Sequence, residues 1–282
     1  MSPWFYLIVL IEVPILLAAA YFGGWWLFLV IALITLMGMG EFYSALIVKQ
    51  TRPEAAVGYL AALFLLAAGE FTVPELRGEL MVLALFVAMA GPLAAQFART
   101  GQEGRVRDAA LTTLGVVYIA LPMTFVFLLC KTDIPLLVTG QSEGQFKARL
   151  GALLTVAAAV WISDTAAWGI GKLYGRRKMT PKLSPNKTVE GAIAGALAAV
   201  VSTIIVGVGW AGLPYGHGIV LGLVLAAAAQ VGDLAESVIK RDLQIRDFGT
   251  LLGPHGGMLD TFDGMLFAAP IGWFYIWLFL IP

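Results

Sequence analysis

Gly232-Asp233-Leu234-Ala235-Glu236-Ser237-Val238-Ile239-Lys240-Arg241 leaves one long apolar segment, and Pro254-His255-Gly256-Gly257-Met258-Leu259-Asp260-Thr261-Phe262-Asp263 enters the next. Acids, cations, a histidine and a glycine pair are therefore pressed between two stretches long enough to cross a bilayer. Each ionisable group at the centre of a membrane helix costs about 2.5–3.5 kcal/mol on insertion scales, so a concentration of them marks a functional site rather than packing. The expectation is a helical membrane protein that does chemistry at the bilayer surface.

The rest of the chain fits that setting. Of 282 residues, 60% are hydrophobic and 13% charged, and the mean hydropathy of +0.87 is far above that of a soluble domain. Zero net charge gives no general attraction to nucleic acid. The one cysteine, Cys130, lies in an apolar run and excludes an intrachain disulfide or a cysteine-based metal site. With a span needing about 20 apolar residues, the fold class is all-α, a polytopic integral membrane bundle of about nine helices near 4–20, 25–48, 55–70, 78–98, 109–130, 149–168, 188–210, 216–238 and 263–281. Glycine and proline fall between the runs, at Gly23-Gly24, Pro53, Pro74, Gly101, Pro181, Pro185, Pro214 and Gly253-Pro254. The N-terminal run lacks a basic stretch ahead of it and reads as a retained first helix.

Orientation follows from the cations. Alternating spans put Lys49, Arg52, Arg99, Arg105, Arg107, Lys172, Arg176, Arg177, Lys178, Lys182, Lys187, Lys240, Arg241 and Arg246 on one side and only Arg77, Lys131, Lys147 and Arg149 on the other. Cytoplasmic loops carry the excess of Lys and Arg. The polar loops 169–187 and 239–262 are therefore expected to face the cytoplasm.

The first of these loops carries Lys172, Arg176, Arg177, Lys178, Lys182 and Lys187 among glycine, serine, threonine and proline. Such a chain suits phosphate: backbone amides approach closely, hydroxyls donate and cations neutralise. Ser184-Pro185-Asn186-Lys187-Thr188 leads straight into the seventh helix, whose N-terminus is itself an anion site. A plain positive-inside anchor would use the same cations, but it leaves Asp164, inside the sixth helix, unexplained. The second loop supplies acids. Asp260 and Asp263 are spaced i,i+3, as are Asp233 and Glu236. Oxygen ligands converging from two helix ends are what Mg²⁺ uses, with substrate phosphates completing its shell. The competing reading pairs the same acids with Lys240, Arg241 and Arg246, and the two are compatible. His255 reads either as a hydrogen-bonded loop residue or as a catalyst.

At these residues a resemblance emerges. Ser237, Lys240, Arg241, Asp247, His255, Gly256, Gly257, Asp260 and Asp263 are spaced like the signature of the phosphatidate cytidylyltransferases, also called CDP-diacylglycerol synthases. The block from Asp164-Thr165 to Ser184-Pro185, Lys187-Thr188 and Glu190-Gly191 is similar to a second stretch of that family, and Glu41-Phe42 resembles an acid–aromatic pair in it. Three departures stand out: Arg246 replaces the usual lysine, Gly253-Pro254 the usual Pro-Gly, and Thr261 the usual arginine. They suggest a divergent paralogue.

The resemblance implies a metal-dependent nucleotidyltransferase that joins CTP and phosphatidic acid into CDP-diacylglycerol and pyrophosphate. It implies metal binding by Asp233, Asp260 and Asp263, with Mg²⁺ and room for a second cation. Catalytic roles are implied for those three and for Lys240, Arg241, Asp247 and His255, the last orienting Asp260 or binding phosphate. Substrate contacts are implied for Asp164, Lys172, Lys182, Ser184, Lys187, Thr188, Glu190, Ser237, Arg246, Gly256 and Gly257. Residues 1–130 would form a lipid-facing scaffold and 131–282 the catalytic region. The expected setting is the bacterial inner membrane, with the site open to the cytoplasm; a homodimer is implied by the resemblance alone. The rival readings are a cytidylyltransferase on another phosphorylated lipid and a polytopic transporter. The second lacks the internal repeat and midplane charges that transporters carry.

Overall fold

The computed structural model describes residues 14–98, 103–132, 142–251, 253 and 256–281, and only the backbone of 142–149. Helix α1 covers residues 14–22. It is followed by α2 (Gly24–Val48), α3 (Ala55–Phe71) and α4 (Pro74–Ala95), which continues through a 3₁₀ turn to Ala98. Helix α5 (Arg105–Cys130) contains a π segment over Val116–Ala120, and α6 is Ser142–Tyr174. A hairpin of β1 (Lys178–Thr180) and β2 (Ser184–Thr188) leads into α7 (Val189–Val208), then α8 (Tyr215–Asp242) and α9 (Met258–Phe279).

Seven of these helices are long and apolar enough to cross a membrane, and α3, at 17 residues, sits at the lower limit. The chain is a polytopic membrane protein of the all-α class. The expected spans recur at nearly the expected places, with residues 4–13 of the first lying outside the described residues. Two ends differ. Helix α6 runs through Gly169 and Gly171 to Tyr174, because a glycine costs a helix only about 1 kcal/mol. Helix α9 starts at Met258 rather than near 263. The expected loop 169–187 is accordingly short, and its second half folds as the antiparallel hairpin, pairing Lys178 with Thr188 and Thr180 with Ser184.

The helices fall into two compact units, Met1–Phe127 with Asp242–Phe262, and Leu128–Arg241 with Asp263–Pro282. In the first, Tyr43 of α2 is buried and its hydroxyl donates to the Thr112 carbonyl of α5 (2.8 Å). Thr112 Oγ1 in turn accepts from the Glu54 amide ahead of α3 (2.9 Å). Pro92 inside α4 has no amide hydrogen to give the Ala88 carbonyl, and Thr113 of α5 donates to that carbonyl instead (2.9 Å). A polar side chain from a neighbour thus satisfies what proline leaves open, as backbone in a bilayer requires.

In the second unit α6 and α7 pack along Gly191 and Gly195. A Cβ at Gly191 would stand 2.6 Å from the Ala167 carbonyl oxygen, and one at Gly195 3.0 Å from the Ser163 carbonyl oxygen. The Gly-x-x-x-Gly spacing therefore serves a contact within the chain. Cys130 is buried, as its apolar surroundings in the sequence imply.

Candidate active site

Elements of the second unit build the site: the β hairpin, the end of α8 up to Arg241 and α9 from Asp263 onward. Thr188 is the N-cap of α7, its hydroxyl accepting from the Gly191 amide (3.1 Å). Glu190, in the first turn, accepts from the Arg176 and Arg177 amides (3.0 and 3.1 Å) and so ties the chain entering the hairpin to the helix leaving it. Leu183, at the hairpin turn, accepts from Arg241 Nε of α8 (3.0 Å). Held this way, β2 sets Lys187 Nζ 2.5 Å from Asp233 Oδ2.

Asp233 is one of three carboxylates that converge. Asp233 and Glu236, one turn apart on α8, and Asp263 on α9 each offer an oxygen, all within 4.8 Å of one another. Glu236 is fully buried and accepts from Lys240 Nζ (2.7 Å), an i,i+4 pair on α8. Asp164 of α6 is a fourth acid close by. A Cβ at Gly264 would lie 3.6 Å from Asp164 Oδ2, and Asp164 interacts electrostatically with Asp233 and Lys187. Four acids and two ammonium groups leave an excess of formal negative charge, with Glu236 buried and the others partly open. Hard oxygen donors in that arrangement fit a divalent cation, and the cluster can bind a metal ion.

The remaining expected site residues are distributed as follows. Lys182 is exposed near the hairpin turn, Ser184 is half-buried at the start of β2, and Ser237 is buried on α8. Lys172 Nζ lies over the Trp168 ring, 5.0 Å from its centre. Arg246 and Asp247 are exposed neighbours in the first unit, with Nε 3.7 Å from Oδ2. Asp260 also belongs to that unit. Its Oδ2 accepts from the Phe248 and Gly257 amides (2.9 and 2.8 Å), which makes it the third residue of α9 reaching back to the residue before the helix. Gly256 has φ +86°, and a Cβ there would meet the Asp260 side chain. His255 and Pro254 lie outside the described residues.

The expected ligand trio of Asp233, Asp260 and Asp263 thus differs from the cluster by one member, Glu236 in place of Asp260. The signal for Glu236 was in the sequence: Asp233-Leu234-Ala235-Glu236 puts two acids on one face of a helix.

A cluster of carboxylates able to hold a cation, a basic hairpin beside it and helices long enough to cross a bilayer fit a membrane-bound enzyme of phosphate chemistry. Comparison with known proteins makes the class specific. The chain belongs to the Cytidylyltransferase family, whose model matches residues 6–279. Among similar proteins is the phosphatidate cytidylyltransferase of Bacillus subtilis (strain 168), 42% identical over 121 residues, which is 43% of this chain and 45% of that protein. The phosphatidate cytidylyltransferase of Mycobacterium leprae (strain TN) is 32% identical over 186 residues, 66% of this chain and 53% of that protein. That of Synechocystis sp. (strain ATCC 27184 / PCC 6803 / Kazusa) is 28% identical over 274 residues, 92% of this chain and 90% of that protein. The first two matches span about half the length of the relatives they involve.

Proposed function

We propose that the protein is a CTP:phosphatidate cytidylyltransferase, converting CTP and phosphatidic acid into CDP-diacylglycerol and pyrophosphate at the cytoplasmic face of the bacterial inner membrane. The observation that carries the reading is the meeting of Lys187, from Ser184-Pro185-Asn186-Lys187-Thr188, with Asp233 beside Glu236 and Asp263. Family membership and the relatives' printed activity support it.

A phosphate monoester is already anionic at neutral pH, so attack by a lipid phosphate oxygen on the α-phosphorus of CTP needs no strong base. It needs reactants held in line and charge offset on the departing pyrophosphate. Lys187, with Lys182 and the Ser184 hydroxyl on the same hairpin, would bind the triphosphate, and Lys172 would add charge at the end of α6. Lys240 and Arg241 would hold the lipid phosphate or the pyrophosphate. Asp233, Glu236 and Asp263 would hold Mg²⁺, with Asp164 near enough to favour a second cation. When bound, the cation supplies Lewis-acid stabilisation of phosphate oxygens. Asp260, Thr188 and Glu190 would act through the backbone they fix. Residues 131–282 would be the catalytic region and 1–130 the scaffold, in a homodimer.

A cytidylyltransferase acting on another phosphorylated lipid would use the same groups, and the departures at Arg246, Gly253-Pro254 and Thr261 favour keeping it in view. Incubating the purified protein with labelled CTP, Mg²⁺ and separate phosphorylated lipids decides between them. Label entering lipid with phosphatidic acid alone supports the first reading, and label with a different phospholipid supports the second.

A further inference from the structure

Within the first unit, the segment from Asp242 to Phe262 is held by α2. Lys49 Nζ at the end of α2 donates to Gln244 Oε1 (3.0 Å), and the Phe42 and Phe248 rings lie 6.0 Å apart. The third tie is Glu41. Its Oε1 accepts from the Met258 amide and its Oε2 from the Leu259 amide, each at 2.9 Å, across 217 and 218 residues of chain. Met258 and Leu259 open α9, and the residue before them, Gly257, has no side chain with which to cap the helix. A Cβ at Gly257 or Gly249 would collide with the Glu41 carboxylate. Both positions are thus open enough for an acid from another helix to reach the backbone. Asp260 closes the opposite side through the Gly257 and Phe248 amides.

A helix N-terminus carries a partial positive charge and free amides, and it is an ordinary place for a substrate phosphate. Here the protein's own carboxylate takes the amides of Met258 and Leu259. We infer that Glu41 is a positioning residue for the cytidylyl transfer proposed above. It fixes where α9 begins, and with it the placement of Asp260 and Asp263 along that helix, without touching substrate. Phosphate binding then falls to the hairpin and the cations of α6 and α8, and not to the start of α9. The inference rests on that reading of the activity, and its test has an arm that does not.

The test compares full-length wild type with Glu41→Gln, which keeps one acceptor oxygen and loses the charge, and with Glu41→Ala, which loses both. Hydrogen exchange should rise in peptides covering 246–262 in the order wild type, Gln, Ala, with the rest of the chain unchanged. In Glu41→Ala, kcat per folded protein should fall roughly 10- to 100-fold while KM for CTP moves less than about threefold, as for loss of two charge-assisted bonds remote from the nucleotide. Unchanged exchange over 246–262, unchanged kcat, a loss confined to KM, or exchange rising throughout the chain in Glu41→Gln would each overturn the assignment. A wild type unable to consume CTP would refute the activity, and this role with it. The exchange arm would still report whether Glu41 holds the segment, so the two failures are separable.

Discussion

Asp260 and Asp263 are three residues apart on α9, and their surroundings give them different tasks. Asp260 accepts from two backbone amides at the start of the helix, and Asp263 faces Asp233 and Glu236. Asp263→Asn and Glu236→Gln should therefore each weaken Mn²⁺ binding to the purified protein by more than about 100-fold, beyond the 10- to 100-fold typical of outer-shell partners. Asp260→Asn, which keeps one oxygen acceptor, should weaken it by less than about tenfold. Calorimetric titration of the three variants checks the order, and equal losses at Asp260 and Asp263 would return Asp260 to the ligands. Spacing made all of these acids visible in the sequence, but it could not tell ligand from cap. That distinction depends on where the helix starts, and the glutamate that takes the Met258 and Leu259 amides is distant in sequence.

At the scale of elements, the hairpin is the part least legible beforehand. Its strands are three and five residues long and rich in lysine, serine and proline, with no alternation of apolar residues to announce them. What makes them strands is tertiary: Glu190 fastens the entry, Thr188 caps the exit, and Arg241 reaches the turn. The long apolar helices, by contrast, were legible because a bilayer leaves no other way to satisfy their backbone. Lys187→Ala should lower CTP-dependent turnover by about 10- to 150-fold, the equivalent of one charge-assisted hydrogen bond of roughly 1.5–3 kcal/mol. Arg105→Ala, which removes a cation at the start of α5, should lower it less than about twofold, in the range of a surface charge. Steady-state rates at equal expression separate the two, and similar losses would reduce the hairpin to an electrostatic anchor. Glu190→Gln should give an intermediate loss, because one side of the hairpin is released while Lys187 remains.

For the whole molecule, the charge asymmetry predicts one orientation: the hairpin and the α8–α9 segment on the cytoplasmic side. Met179→Cys in a Cys130→Ser background should react with a membrane-impermeant thiol reagent in inverted vesicles and not in intact cells. Labelling from outside would invert the topology. Such an orientation would put the acids and the hairpin on the side where CTP is found. The family match over residues 6–279 and the span pattern agree on architecture, while the substrate rests on chemistry. The most direct measurement is therefore the reaction itself: purified wild type with CTP labelled at the α-phosphate, phosphatidic acid and Mg²⁺, with lipid and pyrophosphate both quantified. One pyrophosphate should be released per label entering CDP-diacylglycerol, and both products should be lost on chelation and in Asp263→Asn. Absence of labelled lipid from active-site-intact, folded protein, or label transfer that persists in chelator, would contradict the proposed function.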